Sequence, residues 1–336
     1  MSFSSRRSAR LRAPSVRALL TRAFASEYFA AWLCLGYVAA VGPFTPGFFT
    51  ADNAANIIAT LLPLFVVALG QTLVLISGGI DLSVTSTIGL CSVVGALIMN
   101  ASTGWLAGNA LALPSGILAM LLVGAFVGGF NGFAVARLAM PPFIVTLAAM
   151  MGFSGLAIWL TSSNTINQLP SAFNALGGNT LVAFAIVGVI ALFVHVMLSR
   201  SLFGRWLYAI GHNARAAHIS GVPVAGVIIA AYIGSGILAA IGAILLTGQA
   251  ETGSPVLGQR ILLDVIGATV IGGTSLFGGK GKVLWTLFGV LFLKLIDNSL
   301  NLLNVSYFTL TMIKGGVILG AAVLDSLRVR FSVVHA

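Results

Sequence analysis

The chain has 336 residues, 58% of them hydrophobic and only 7% charged, with a mean hydropathy of +1.06. A soluble domain carries about 25% charged residues, so this composition excludes a water-exposed globule and leaves an integral membrane protein. The net charge of +10 does not mark a nucleic-acid partner, because the bases lie in short segments between apolar runs, as in loops beside anionic lipid.

In chain order, residues 1–26 hold Arg6, Arg7, Arg10, Arg12, Arg17 and Arg22 and no acid before Glu27. They read as a basic cytoplasmic tail rather than a cleaved leader, because no small-residue cleavage site precedes the first apolar run. Apolar runs then follow at 28–49, 54–77, 83–100, 111–136, 142–161, 180–198, 223–247, 264–279, 283–303 and 308–327. Most approach the ~20 residues a helix needs to cross hydrocarbon, and the run 264–279 is short enough for a half-helix. The fold predicted is all-α and polytopic, about ten transmembrane helices with one or two interrupted or half-helices. It forms a single membrane domain over 27–327, with a cytoplasmic loop at 199–222 and a short tail at 328–336.

Charge supports that count. With both termini cytoplasmic, Arg137, Arg200, Arg205, Arg215, Lys280, Lys282, Arg328 and Arg330 all fall inside, and only Arg260 falls outside. An odd error in the count would scatter these bases over both sides. Cys34 and Cys91 sit inside apolar runs and read as buried thiols; no metal-ligand spacing exists and no cofactor is expected.

Several stretches break the apolar pattern. In Gly70–Val84, two glycines and Asp81 interrupt the run. A carboxylate so placed is costly unless it caps a helix, finds a partner or meets water. Asp81 is a candidate pathway residue and, equally, an N-terminal cap for the third span with Ser83. Asn131, in Gly128-Gly129-Phe130-Asn131-Gly132-Phe133, is either a pathway residue or an interhelical hydrogen bond at a close glycine contact. Ile76-Ser77-Gly78-Gly79 is weakly echoed by Ile271-Gly272-Gly273-Thr274, as duplication or mere glycine abundance would give.

The run Gly272–Gly281 looks like a phosphate loop but fails its requirements. Thr274 stands where the first glycine is needed and Gly281 where Ser or Thr should follow Lys280. The ninth span carries the strongest polar stripe, Lys294, Asp297, Asn298, Asn301 and Asn304. Asp297, Asn301 and Asn304 share one helical face. Lys314 enters the tenth span at about the depth of Asp297, which predicts an Asp297–Lys314 ion pair with the asparagines facing a polar cavity. In the loop 204–223, Asn213 can cap a short helix that Gly221 and Pro223 end. Such a helix is too short to stand alone in water and wants a partner surface; His212 and His218 read as surface residues.

The runs Gly70–Val84, Gly129–Thr146, Gly204–Val222, Asp264–Gly281 and Leu300–Asp325 together resemble the sugar-type permease subunits of bacterial ABC importers, the ribose, xylose, galactoside and autoinducer-2 branch. The resemblance covers most of residues 45–327. It implies a dimer with a second copy or a homologous permease in the bacterial inner membrane, cytoplasmic ATP-binding subunits, and a periplasmic sugar-binding protein that delivers the small-molecule substrate. It also implies that 204–222 is the ATPase-coupling segment, with Gly211, Asn213, Arg215, Ala216, Ala217, Ser220 and Gly221 as candidate contacts. Glu251 and Arg260 are candidates for docking the binding protein. Gln71 stands where relatives often have Met, and Ala214-Arg215 replaces a common Pro-Glu. The competing expectation is an ion-coupled secondary transporter that uses Asp81 and Asp297 as carriers.

Overall fold

A computed structural model describes residues 28–334; the basic segment 1–26 lies outside the described residues. Twelve α-helices follow one another with no strand between them among the described residues. They are α1 (Phe29–Val41), α2 (Ala51–Ile76), α3 (Val84–Met99), α4 (Ala112–Arg137), α5 (Pro142–Thr161), α6 (Ser171–Gly178), α7 (Thr180–Arg200), α8 (Leu202–Ile219), α9 (Val224–Ala250), α10 (Leu262–Gly272), α11 (Val283–Leu302) and α12 (Tyr307–Val334). Six of them (α2, α4, α5, α7, α9 and α11) are long and apolar enough to cross a membrane. Helices α6 and α8 lie in segments read as loops, and α12 carries on to Val334 through most of the segment read as a tail.

Besides the 13-residue α1, two of the expected spans are short. At 1.5 Å per residue the 11-residue α10 covers about 16 Å and the 16-residue α3 about 24 Å, against about 30 Å of hydrocarbon. Irregular backbone adjoins both helices, and in lipid it is tolerated only where protein covers it. Residues 77–83 lead into α3, and the buried stretch Gly253–Pro255 leads toward α10. Gly253–Pro255 lies against the middle of α3. The Ser254 N–H donates to Ser92 Oγ at 3.1 Å, and Gly89 gives the Pro255 carbonyl room to approach.

Helices α2 and α9 form the centre, packed on each other and on α4, α3 and α11. The α4–α9 contact follows from glycine spacing. Gly124, Gly128 and Gly132 recur every four residues on one face, and a Cβ on any of them would strike the backbone of Gly236, Tyr232 or Ile229. Helices α5 and α7 lie on the perimeter and present Phe143, Met151, Trp159, Phe184, Leu192 and Phe193 outward, the surface that hydrocarbon covers. Inside α2, Pro63 has no N–H for the Ala59 carbonyl. The Gln249 side-chain amide of α9 donates to that orphaned oxygen at 2.9 Å, so a proline break becomes an interhelical tie.

Candidate functional site

The polar residues gather in three places. The first is a cavity of about 320 Å³ between α2, α10, α11 and α12, lined among others by Asn56, Thr60, Asp264, Asp297, Asn301 and Lys314. Lys314 Nζ lies 2.7 Å from Asp264 Oδ1 and 2.9 Å from Asp297 Oδ1, and Lys294 Nζ lies 3.4 Å from Asp297 Oδ2. Two lysines and two aspartates thus neutralise one another where an isolated charge would be expensive. Sequence reasoning had paired Asp297 with Lys314 alone. Asp264 was the missed partner, although an acid opening an apolar run carried the same signal as Asp297.

The asparagine stripe divides. Asn301 is exposed on the cavity wall. Asn298 also lines it, but its amide is spent in a reciprocal pair with Asn53 at 3.0 and 2.6 Å. Asn304 is a correction. Helix α11 ends at Leu302, and Asn304 sits beyond it at φ +55°, a left-handed turn asparagine favours, so it leaves the Asp297–Asn301 face. Arg260 stacks over Tyr307, 4.8 Å from the ring centroid, at the mouth of the same cavity.

The second place is a closed knot. Asp81 is 2% exposed and accepts from the Ser83 N–H at 3.0 Å, the Ser83 hydroxyl at 2.6 Å and the Ser235 hydroxyl at 3.0 Å. Asn131, fully buried, donates its amide to Ser83 Oγ at 2.7 Å, and the Tyr232 hydroxyl donates to the Ile80 carbonyl at 3.1 Å. Neither Asp81 nor Asn131 is among the residues lining the cavity. They hold the break before α3 to α4 and α9, because hydrogen bonds to the carboxylate replace the water that lipid denies it.

The third place is α8, at the end of the bundle where α2 stops and α9 begins. Asn213 interrupts α8 with extended dihedrals (φ −163°, ψ 100°), and its side chain accepts from the Ala216 N–H at 2.9 Å, capping a second helical segment. Gly221, at φ +82°, closes that segment through the Gly221 N–H to His218 carbonyl bond and the Val222 N–H to Ala217 carbonyl bond. His212, Ala214, Arg215, Ala216, His218, Ile219 and Ser220 are exposed, whereas Ala217 is buried against the bundle and Gly211 packs inward. The short helix after Asn213 therefore has a preceding anchor, 202–212. Leu207 and Ile210 are its buried contacts, and Ser201 caps it by accepting from the Gly204 N–H at 3.1 Å.

Glu251 and Arg260 lie toward the opposite end but do not meet. Glu251, left-handed at φ +54°, lines an open depression with Asn174, Asn179 and Thr180, whereas Arg260 belongs to the charged cavity. Among the described residues no group of His, Cys, Asp or Glu side chains could hold a metal ion.

Comparison with known proteins decides the family. Residues 53–322 match the family described as branched-chain amino acid transport system, permease component. The chain belongs to that family. This permease is 34% identical to the ribose import permease protein of Escherichia coli (strain K12), over 93% of its own length and 97% of the relative. It is 37% identical to the ribose import permease protein of Bacillus subtilis (strain 168), over 83% and 86%. It is 30% identical to the xylose transport system permease protein of E. coli (strain K12), again over 83% and 86%. No solved structure matches the permease.

Proposed function

We propose that this permease is the membrane-spanning subunit of an ATP-driven, binding-protein-dependent importer that passes a sugar or sugar-like polyol inward by alternating access. The observation that carries the reading is α8: a capped, kinked ledge, exposed on one side and anchored on the other, at the bundle end that also holds Arg137, Arg200 and Arg205. That end is the cytoplasmic one by the distribution of bases. Separate ATP-binding subunits dock there on Arg215, Ala216, Ile219 and Ser220, while Asn213, Ala217 and Gly221 shape the ledge. Ile219, 79% exposed, supplies an apolar anchor of the kind interfaces use.

At the opposite end a sugar-binding protein docks through Glu251 and Arg260. The ligand passes the cavity at Asn56, Asp297 and Asn301, where amides and carboxylates can hydrogen-bond hydroxyl groups, between this chain and a second copy or a homologous permease. Both termini lie in the cytoplasm of a bacterial inner membrane. The ion-gradient alternative finds no support in the geometry: Asp81 is sealed among hydroxyls and Asp297 is already paired with lysine.

Tagged permease expressed with its ATP-binding subunit tests the reading. Replacing 213–221 by a Gly/Ser linker is expected to abolish co-purification of that subunit. Unchanged association, or import by the wild-type chain alone in vesicles, would overturn it.

A further inference from the structure

At Gly211 the back of α8 meets the bundle through backbone rather than side chains. Gly211 lies so close to the Ile76 carbonyl and the Gly279 amide that a Cβ would overlap both. Those two groups are themselves joined, with the Gly279 N–H donating to the Ile76 carbonyl at 2.9 Å. A Cβ on Gly278 would stand 2.8 Å from the Gly211 oxygen and 3.1 Å from Gly78 Cα. Gly78, Gly278 and Gly279 have φ of +83°, +89° and +74°, so their turns also depend on glycine conformationally. The Tyr208 hydroxyl donates to the Gly281 carbonyl at 2.7 Å, two residues beyond Gly279.

Three segments therefore meet at one glycine seam: α8, the turn that ends α2, and the turn between α10 and α11. Each turn adjoins one of the short helices. Residues 77–83 lead into α3 and are pinned by Asp81. The second turn closes α10, whose first turn carries Asp264 of the charged cavity. Side chains absorb small displacements by changing rotamer, whereas backbone packed on backbone passes them on.

We propose that Gly211, Gly78 and Gly278–Gly279 are the positioning residues that convert movement of α8 into movement of α3 and α10, so that a push at the ledge reaches Asp264 and the cavity. Gly211 then acts inside the permease rather than at the ATPase surface. The inference rests on the importer reading above.

The reconstituted complex with its ATP-binding subunit and binding protein tests it. Gly211→Ala is expected to leave co-purification and basal ATP hydrolysis unchanged, while uptake and binding-protein-stimulated hydrolysis fall about tenfold, within the range that coupling mutations reach. Gly226→Ala, whose Cβ would enter open space, is the control and keeps wild-type uptake. If Gly211→Ala does not assemble, Tyr208→Phe carries the test, since it removes one bond to the same turn and adds no bulk. Uptake per ATP hydrolysed is expected to drop, and an unchanged ratio overturns the proposal. Wild-type uptake by Gly211→Ala overturns the seam alone. ATP-independent uptake by the wild-type chain overturns the importer reading, and the seam's role with it.

Discussion

Lys314 holds two carboxylates, Asp264 and Asp297, at the junction of three helices. Removing one member of a buried ion pair strands its partner, at about 3–5 kcal/mol. Lys314→Met is therefore expected to lower the thermal unfolding temperature of the detergent-solubilised permease strongly, and adding Asp264→Asn is expected to restore part of the loss. Equal destabilisation in the single and double variants would show that the cluster does not act as a unit. The pair Asp297–Lys314 was legible in sequence because charges at matched depth in lipid have few alternatives. That Asp264 shares the same lysine was not legible, because it lies 50 residues from Lys314 in the chain and its own signal named no partner. Gln71 marks another limit. It is fully buried with neither amide atom hydrogen-bonded, and nothing in the sequence around it announced a buried amide.

At the scale of elements, seven of the apolar runs gave their helices to within about three residues because lipid demands length and hydropathy together, whereas α1 and α10 stop well short of their runs and α12 continues past its own. Half-helix α10 was also foreseeable, since its run was short. Which glycines pack was not legible, because the chain has 40 of them and a glycine sequence says nothing of its neighbour. Gly128 and Gly129 make the point. A Cβ on Gly128 would collide with the Tyr232 carbonyl, whereas on Gly129 it would lie 3.6 Å from Ile233, an ordinary contact. Gly128→Val is expected to abolish folded expression, measured by fluorescence-detected size exclusion, whereas Gly129→Ala is expected to behave as wild type. The reverse order would refute the α4–α9 contact. Asn213 teaches a similar lesson: its capping role was readable from residue type, but the anchor 202–212 behind it was not, because the surface that buries Leu207 and Ile210 belongs to distant parts of the chain.

Across the whole molecule, Arg137, Arg200, Arg205, Arg215, Lys280 and Lys282 belong to the α8 end, and the loops with Trp105, Asn164 and Glu251 belong to the other. The native thiols Cys34 and Cys91 are buried, so introduced cysteines can be read against a silent background. In spheroplasts an impermeant thiol reagent is expected to label Asn164→Cys directly and Ser220→Cys only after permeabilisation. Labelling of both without permeabilisation would reject the topology. The two ends are also built differently. At the α8 end, glycine backbones touch. At the other, the Ile166 N–H and the Gly253 carbonyl, and the Gly253 N–H and the Ile166 carbonyl, exchange two hydrogen bonds of 2.8 Å. That small clasp ties the rim between α5 and α6 to the buried strip beside α3. Any force on that rim is therefore borne, through two amides, by the strip that continues to α10.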